Sequence, residues 1–250
     1  MRVLILGGTS EARALAARIA GLPDVDAVLS LAGRTREPQR QPVATRIGGF
    51  GGIDGLCAYL QRQRMERVID ATHPFAEQMS RHAAAACARL GIPLLILTRV
   101  PWQRQPGDDW IEVADLAAAV RVLGDAPRRV FLTIGRPGIA AFTRAPQHFY
   151  LTRTIDPPAD LTALPRHQLI LARGPFAVED EERLMREASI DVLVTKNSGG
   201  AATYAKMIAA RRLGLPAIVI APPPRPDVPV VHDIDSALRF LSHDATPRGV

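Results

Sequence analysis

Four short strings in this chain bring glycine together with hydroxyl, amide and cationic residues. They are Gly7-Gly8-Thr9-Ser10-Glu11, Gly33-Arg34-Thr35-Arg36, Asp70-Ala71-Thr72-His73-Pro74-Phe75 and Lys196-Asn197-Ser198-Gly199-Gly200. Backbone N–H groups, hydroxyls and fixed positive charges are the groups that hold phosphates and carboxylates. The first string follows the apolar run Val3-Leu4-Ile5-Leu6 and leads into Glu11-Ala12-Arg13. It reads as a buried strand, a tight turn and a helix start. At such a junction unpaired N–H groups and the positive dipole end point at the turn. The phosphates of a nucleotide cofactor are the expected ligand. The spelling GGTSEA lacks two glycines of the usual GxGxxG pattern, so a plain strand–helix connection is the competing reading.

The other strings add further walls. A dinucleotide site for NAD carries an acidic residue after the second strand, for the ribose hydroxyls. This chain has Arg34, Thr35 and Arg36 there, which suit a 2′-phosphate and so NADPH; an exposed basic loop is the alternative. Arg46-Ile47-Gly48-Gly49-Phe50-Gly51-Gly52 gives a backbone that can approach a flat ligand, at the adenine end in this kind of sheet, or serves as a flexible connection. Thr72 and His73 can hydrogen-bond a cofactor, and His73 is a candidate acid or base, though a binding or structural role is the commoner fate of one histidine. Lys196, Asn197 and Ser198, read as adjoining a helix start, make a second anion site. There is no paired-carboxylate constellation, metal-ligand spacing or nucleophile elbow. The site looks built to hold anions and a flat cofactor that does the chemistry.

These strings sit between alternating strand and helix patterns. Helices are expected at 11–21, 53–64, 77–91, 114–123, 138–143, 178–188, 201–213 and 234–242. Strands are expected at 3–6, 27–32, 68–70, 92–97, 129–133, 148–153, 169–172, 191–195 and 215–221. Repeated βαβ units predict parallel sheets. The pattern breaks between Arg99 and Trp110, where Trp102 either faces a cleft or packs a hinge. The expected architecture is α/β: two Rossmann-like three-layer domains, residues 1–98 and 99–250, whose mainly parallel sheets face across a cleft.

Composition narrows the function classes. Hydrophobic residues make up 47% of the 250, which is ample for a core, and Cys57 and Cys87 have no motif spacing. No apolar run approaches the ~20 residues that span a bilayer, and the N-terminus does not read as a signal peptide, so a cytoplasmic location is expected. A net charge of +6 favours anionic partners. With aromatics at 5% and no basic helix face, nucleic acid is not among them. Lys196 and Lys206 are the only lysines. A monomer is compatible with all of this.

The strings GGTSEAR (7–13), DATHPFA (70–76), ARGPF (172–176) and VTKNSGG (194–200), in this order from Val3 to about Pro224, resemble the precorrin-6A reductase family of cobalamin biosynthesis. The resemblance implies two Rossmann-like domains and reduction of one carbon–carbon double bond of precorrin-6A by NADPH, giving precorrin-6B. Relatives act on the cobalt-bearing substrate. It implies that Gly8, Thr9 and Ser10 cradle the pyrophosphate, with Gly7 and Glu11 in the same turn. Arg34, Thr35 and Arg36 would take the 2′-phosphate. Thr72, His73 and Phe75 would lie near the nicotinamide ribose. The polyanionic tetrapyrrole would meet Arg136, Arg173, Lys196, Asn197, Ser198 and Gly199, with solvent, His73 or Lys196 as the proton source and no metal. The rival readings are an NADPH reductase of another substrate and a non-catalytic NADPH-binding protein. A short-chain carbonyl reductase needs Tyr-x-x-x-Lys, whereas Tyr204 and Lys206 are too close in sequence.

Overall fold

The computed structural model describes residues 1–33, 41–158 and 164–242. The chain forms two compact units, each a parallel sheet covered by helices. In chain order the first contains β1 (Arg2–Leu6), α1 (Ser10–Ile19), β2 (Asp26–Leu31), β3 (Ala44–Ile47), α2 (Gly52–Arg62), β4 (Arg67–Asp70), α3 (Glu77–Leu90) and β5 (Leu94–Leu97). The second contains β6 (Trp110–Val113), α4 (Leu116–Leu123), β7 (Arg129–Thr133), a 3-10 helix (Arg136–Arg144), β8 (Phe149–Thr154), β9 (His167–Leu171), α5 (Val178–Glu187), β10 (Val192–Lys196), α6 (Ala205–Arg212) and β11 (Ala217–Ile220). The chain then returns to the first unit with β12 (Val230–Val231) and α7 (Ile234–Ser242).

This return corrects the expectation that all of 99–250 forms the second domain. Unit 1 is Met1–Val100 plus the segment from Pro223, and unit 2 is Pro101–Pro222. β12 pairs with β5, Val230 opposite Ile96, and Ala237 and Leu241 of α7 enter the core beside Leu15 and Ile19 of α1. The amphipathic 234–242 segment needs an apolar surface, and the sequence pattern does not say which sheet offers it.

Among the described residues both sheets have six strands, ordered β12-β5-β4-β1-β2-β3 and β6-β11-β10-β7-β8-β9, and every strand pair is parallel. From the β3 end, the first is the 3-2-1-4-5-6 order of dinucleotide folds with β12 in sixth place. From the β9 end the second follows the same order, with its sixth place taken by β6, the first strand of that unit in sequence.

Central strands are buried on both faces, as parallel sheets between helix layers require. Val3, Leu4, Ile5 and Leu6 are all buried. Val3 and Ile5 pack with α1 and α7, whereas Leu4 and Leu6 pack with Leu56 and Leu60 of α2 and Ala83 of α3. In unit 2, Phe131, Leu193 and Val219 pack against Met185 and Met207 from α5 and α6. No helix among the described residues is long and apolar enough to cross a membrane.

Candidate functional site

In an open parallel sheet, ligands bind beyond the carboxyl ends of the strands, where the strand order reverses. In unit 1 that point lies between β1 and β4. The turns leaving these strands are Gly7–Thr9 and Ala71–Ala76. The Phe50 loop follows β3 on the same edge, and Arg99 follows β5. The sheet therefore gathers the candidate cofactor residues of the first half along one edge. Arg34, Thr35 and Arg36 lie outside the described residues.

The first turn needs its glycines. A Cβ on Gly7 would come within 2.5 Å of Leu29 Cδ1 and 3.3 Å of Ala12 Cβ, so a side chain there would force Leu29 to shift. Gly8 has φ of +118° with nothing near a notional Cβ, which leaves its backbone open to a ligand. Thr9 caps α1: its hydroxyl accepts from Ala12 N at 3.1 Å and donates to Ala71 O at 2.7 Å. The hydroxyl proton expected to meet a phosphate is thus committed to joining the two turns. Thr9 retains its backbone N–H for an anion.

Ser10 and Glu11 are tied to Arg99. Its guanidinium meets Glu11 Oε1 at 2.7 Å and Oε2 at 2.8 Å, and Ser10 Oγ at 2.9 Å. Burial alone would raise the Glu11 carboxyl, but the hydrogen bond and charge of Arg99 outweigh it and hold the group below its ordinary range. Arg99 thereby balances the Glu11 charge at a helix start that otherwise attracts anions. Sequence reading left Arg99 out of the site, because it is 88 residues from Glu11 and marks no motif.

The second turn is shaped by Asp70. Its Oδ1 accepts from Thr72 N at 3.0 Å and Thr72 Oγ1 at 2.7 Å. His73 is exposed, and Phe75 N donates to its Nδ1 at 3.2 Å, so a neutral ring carries its proton on Nε2. The Phe75 ring lies 5.8 Å from the His73 ring. The Phe50 loop wraps around Arg46, which donates to Gly48 O at 2.9 Å and Gly49 O at 3.0 Å and lies 3.9 Å from the Phe50 ring centroid. A Cβ on Gly55 would sit 1.7 Å from Phe50 O, so α2 can carry this loop only with glycine there. The glycine-rich loop is thus held by the arginine that opens its own string.

In unit 2 the order reverses between β7 and β10. Arg136 follows β7, Arg173 follows β9 and Lys196 ends β10, so all three expected substrate cations occupy the carboxyl edge of that sheet. The Lys196–Gly200 turn differs from expectation in two respects. It does not abut a helix start, since α6 begins at Ala205 after the intervening 201–204 turn. Asn197 is buried, and both ends of its amide are used: Oδ1 accepts from Trp102 N at 2.8 Å and Nδ2 donates to Trp102 O at 3.0 Å. Trp102 Nε1 closes the clamp on Gly200 O at 2.7 Å. Asn197 therefore positions the turn, while Lys196, Ser198 and Gly199 present it.

Three charged side chains are buried among the described residues of this unit: Lys206, Arg153 and Glu181, of which the sequence reading named only Lys206. Lys206 is buried, donates to Thr203 O at 2.8 Å and sits 5.1 Å from the Trp102 ring centroid. Burial, assisted by Arg153 and opposed by Glu181, lowers its ammonium to about 7. Arg153 and Glu181 form a buried two-pronged ion pair, and Arg153 stacks 3.7 Å from the Phe176 ring centroid. Among the described residues no group of three His, Cys, Asp or Glu converges as metal ligands do.

Two parallel sheets in dinucleotide-fold order, each with glycine, hydroxyl and cationic turns where the order reverses, define a double Rossmann-like α/β protein. Comparison with known proteins makes the class specific. Residues 2–242 match the family described as precorrin-6x reductase CbiJ/CobK, and the chain belongs to that family. It is 50% identical to the precorrin-6A reductase of Rhodobacter capsulatus over 100% of this chain and 99% of that one. It is 52% identical to that of Rhodococcus erythropolis, over 96% and 97%. A solved structure described as CobK precorrin-6A reductase matches with a TM-score of 0.92 at 50% identity, covering 100% of both chains. The chain is thus an oxidoreductase of cobalamin biosynthesis.

Proposed function

We propose that this chain reduces one carbon–carbon double bond of precorrin-6A with NADPH, giving precorrin-6B, in the cytoplasm. The observation that carries the reading is full-length identity of about 50% to proteins named precorrin-6A reductase. Relatives named cobalt-precorrin-6A reductase are 28–31% identical, which favours the metal-free substrate.

The residues present fit a dinucleotide. Gly7 permits the close strand–helix approach, Gly8 leaves backbone open, and the Thr9 and Ser10 N–H groups face the turn at the start of α1. Arg99 supplies positive charge beside them. Arg34, Thr35 and Arg36 suit a 2′-phosphate and repel nothing in it. Phe50, held by Arg46, offers an aromatic surface at the adenine side. Thr72, His73 and Phe75 serve the nicotinamide side, where His73 Nε2–H can donate a hydrogen bond.

When bound, NADPH supplies the hydride. The chain orients it and delivers a proton to the electron-rich macrocycle, so that NADPH, a proton and precorrin-6A give NADP⁺ and precorrin-6B. Protonating His73 Nδ1 would displace the Phe75 N–H. This favours Lys196 as the proton donor and leaves His73 as a hydrogen-bonding residue. Arg136, Arg173, Ser198 and Gly199 meet the substrate carboxylates.

Mixing the protein with NADPH and precorrin-6A and following both absorbances tests the activity. Oxidation of NADPH dependent on precorrin-6A is expected, and none with competent substrate overturns the reading. Turnover by Lys196→Ala near the wild-type rate would remove Lys196 as donor.

A further inference from the structure

Unit 1 contains a small cavity at the carboxyl edge of β4 and β5, with a volume of about 20 Å³. Asp70, Thr72, His73, Ser80, Thr98 and Arg225 contribute to its wall. Two of these are buried polar side chains, with Asp70 2% and Thr98 5% exposed. Asp70 Oδ1 is satisfied by Thr72, but Asp70 Oδ2 and Thr98 Oγ1 have no hydrogen-bond partner among the described residues. Burying a carboxylate oxygen without a donor is costly.

The backbone fixes where these oxygens sit. Asp70 lies opposite Ile96 in the β4–β5 ladder, and Thr98 follows two residues after Ile96. Thr98 N donates to Val231 O at 3.0 Å, and Thr98 O accepts from His232 Nδ1 at 2.8 Å. These bonds fix the Thr98 main chain, and its buried hydroxyl is left without a partner among the described residues.

We propose that this cavity binds one ordered water, which donates to Asp70 Oδ2 and hydrogen-bonds Thr98 Oγ1. The volume exceeds the ~10–15 Å³ that one water requires, and the wall offers the two to four polar partners such a water uses, Ser80 being the third. A phosphate or a sugar ring is too large for this volume. A divalent cation wants about six or more oxygens, beyond what this wall provides. Asp70 and Thr98 are then positioning residues. Their water holds the carboxylate that shapes the turn carrying Thr72 and His73. The inference is independent of the NADPH reading.

Two measurements on the full chain test it. A crystal structure at atomic resolution is expected to show one water within hydrogen-bond distance of Asp70 Oδ2 and Thr98 Oγ1. An empty cavity, or a protein group on both oxygens, overturns the proposal. Thr98→Val keeps the shape and removes the hydroxyl, while Thr98→Ser keeps the hydroxyl. The Thr72 amide, which bonds Asp70, is expected to exchange its hydrogen about tenfold faster in Thr98→Val and at the wild-type rate in Thr98→Ser. Equal rates in all three proteins also overturn it.

Discussion

The Thr9 hydroxyl accepts from Ala12 N at 3.1 Å and donates to Ala71 O at 2.7 Å, so one side chain caps α1 and ties it to the turn after β4. Thr9→Val keeps the shape and loses both bonds. A loss of about 1–2 kcal/mol in urea unfolding is expected, together with several-fold weaker NADPH binding by fluorescence titration. Thr9→Ser should restore most of both. A Thr9→Val protein that binds NADPH normally would show that the link does not serve the cofactor turn.

On the proposed reading, the arginines after β2 set a cofactor preference. Arg34→Glu replaces a group suited to a 2′-phosphate by one that repels it. The ratio of kcat/KM for NADPH over NADH is expected to fall at least about tenfold, the cost of one charge-assisted hydrogen bond. An unchanged ratio removes Arg34 from the site.

Lys206 makes stability depend on pH. In the native chain burial lowers its ammonium from 10.5 to about 7. Unfolded, the side chain keeps its proton up to its ordinary value. Between these two values the unfolded state binds more protons, so the stability contributed here rises with pH; below both values the burial cost is full and constant. Lys206→Met removes that dependence. Urea unfolding is expected to show the variant gaining most on wild type at about pH 6, with its relative advantage shrinking by about pH 9. A constant difference would mean that Lys206 titrates as an exposed lysine does.

The Arg153–Glu181 pair is costly to break by halves. Glu181→Gln leaves a buried guanidinium short of its counter-charge and is expected to cost about 3 kcal/mol. Combining Arg153→Met with Glu181→Leu should recover most of the loss in chemical unfolding, because both charges then disappear. A double variant as unstable as the single one would assign Arg153 a larger share through its stacking on Phe176.

By itself the sequence determined the alternation of elements. Local periodicity is enough to mark β1, α1, β4, β10 and α7, since a strand buried on both faces is a continuous apolar run and a half-buried helix repeats every three to four residues. It also marked the Gly7–Glu11, Asp70–Phe75 and Lys196–Gly200 turns, because glycine and small polar residues after an apolar run are local signals. Tertiary structure alone decided which strands stand side by side. β3, β6 and β12 went unread as strands: they are short and lie at sheet edges, where one side is unpaired and the apolar pattern is weak. It also decided what each polar side chain does. Nothing local says that Asn197 is consumed by Trp102 or that Arg99 neutralises Glu11. A hydrogen bond is made with whatever the fold brings within about 3 Å, and partners 95 or 88 residues away leave no trace in the spacing of a motif.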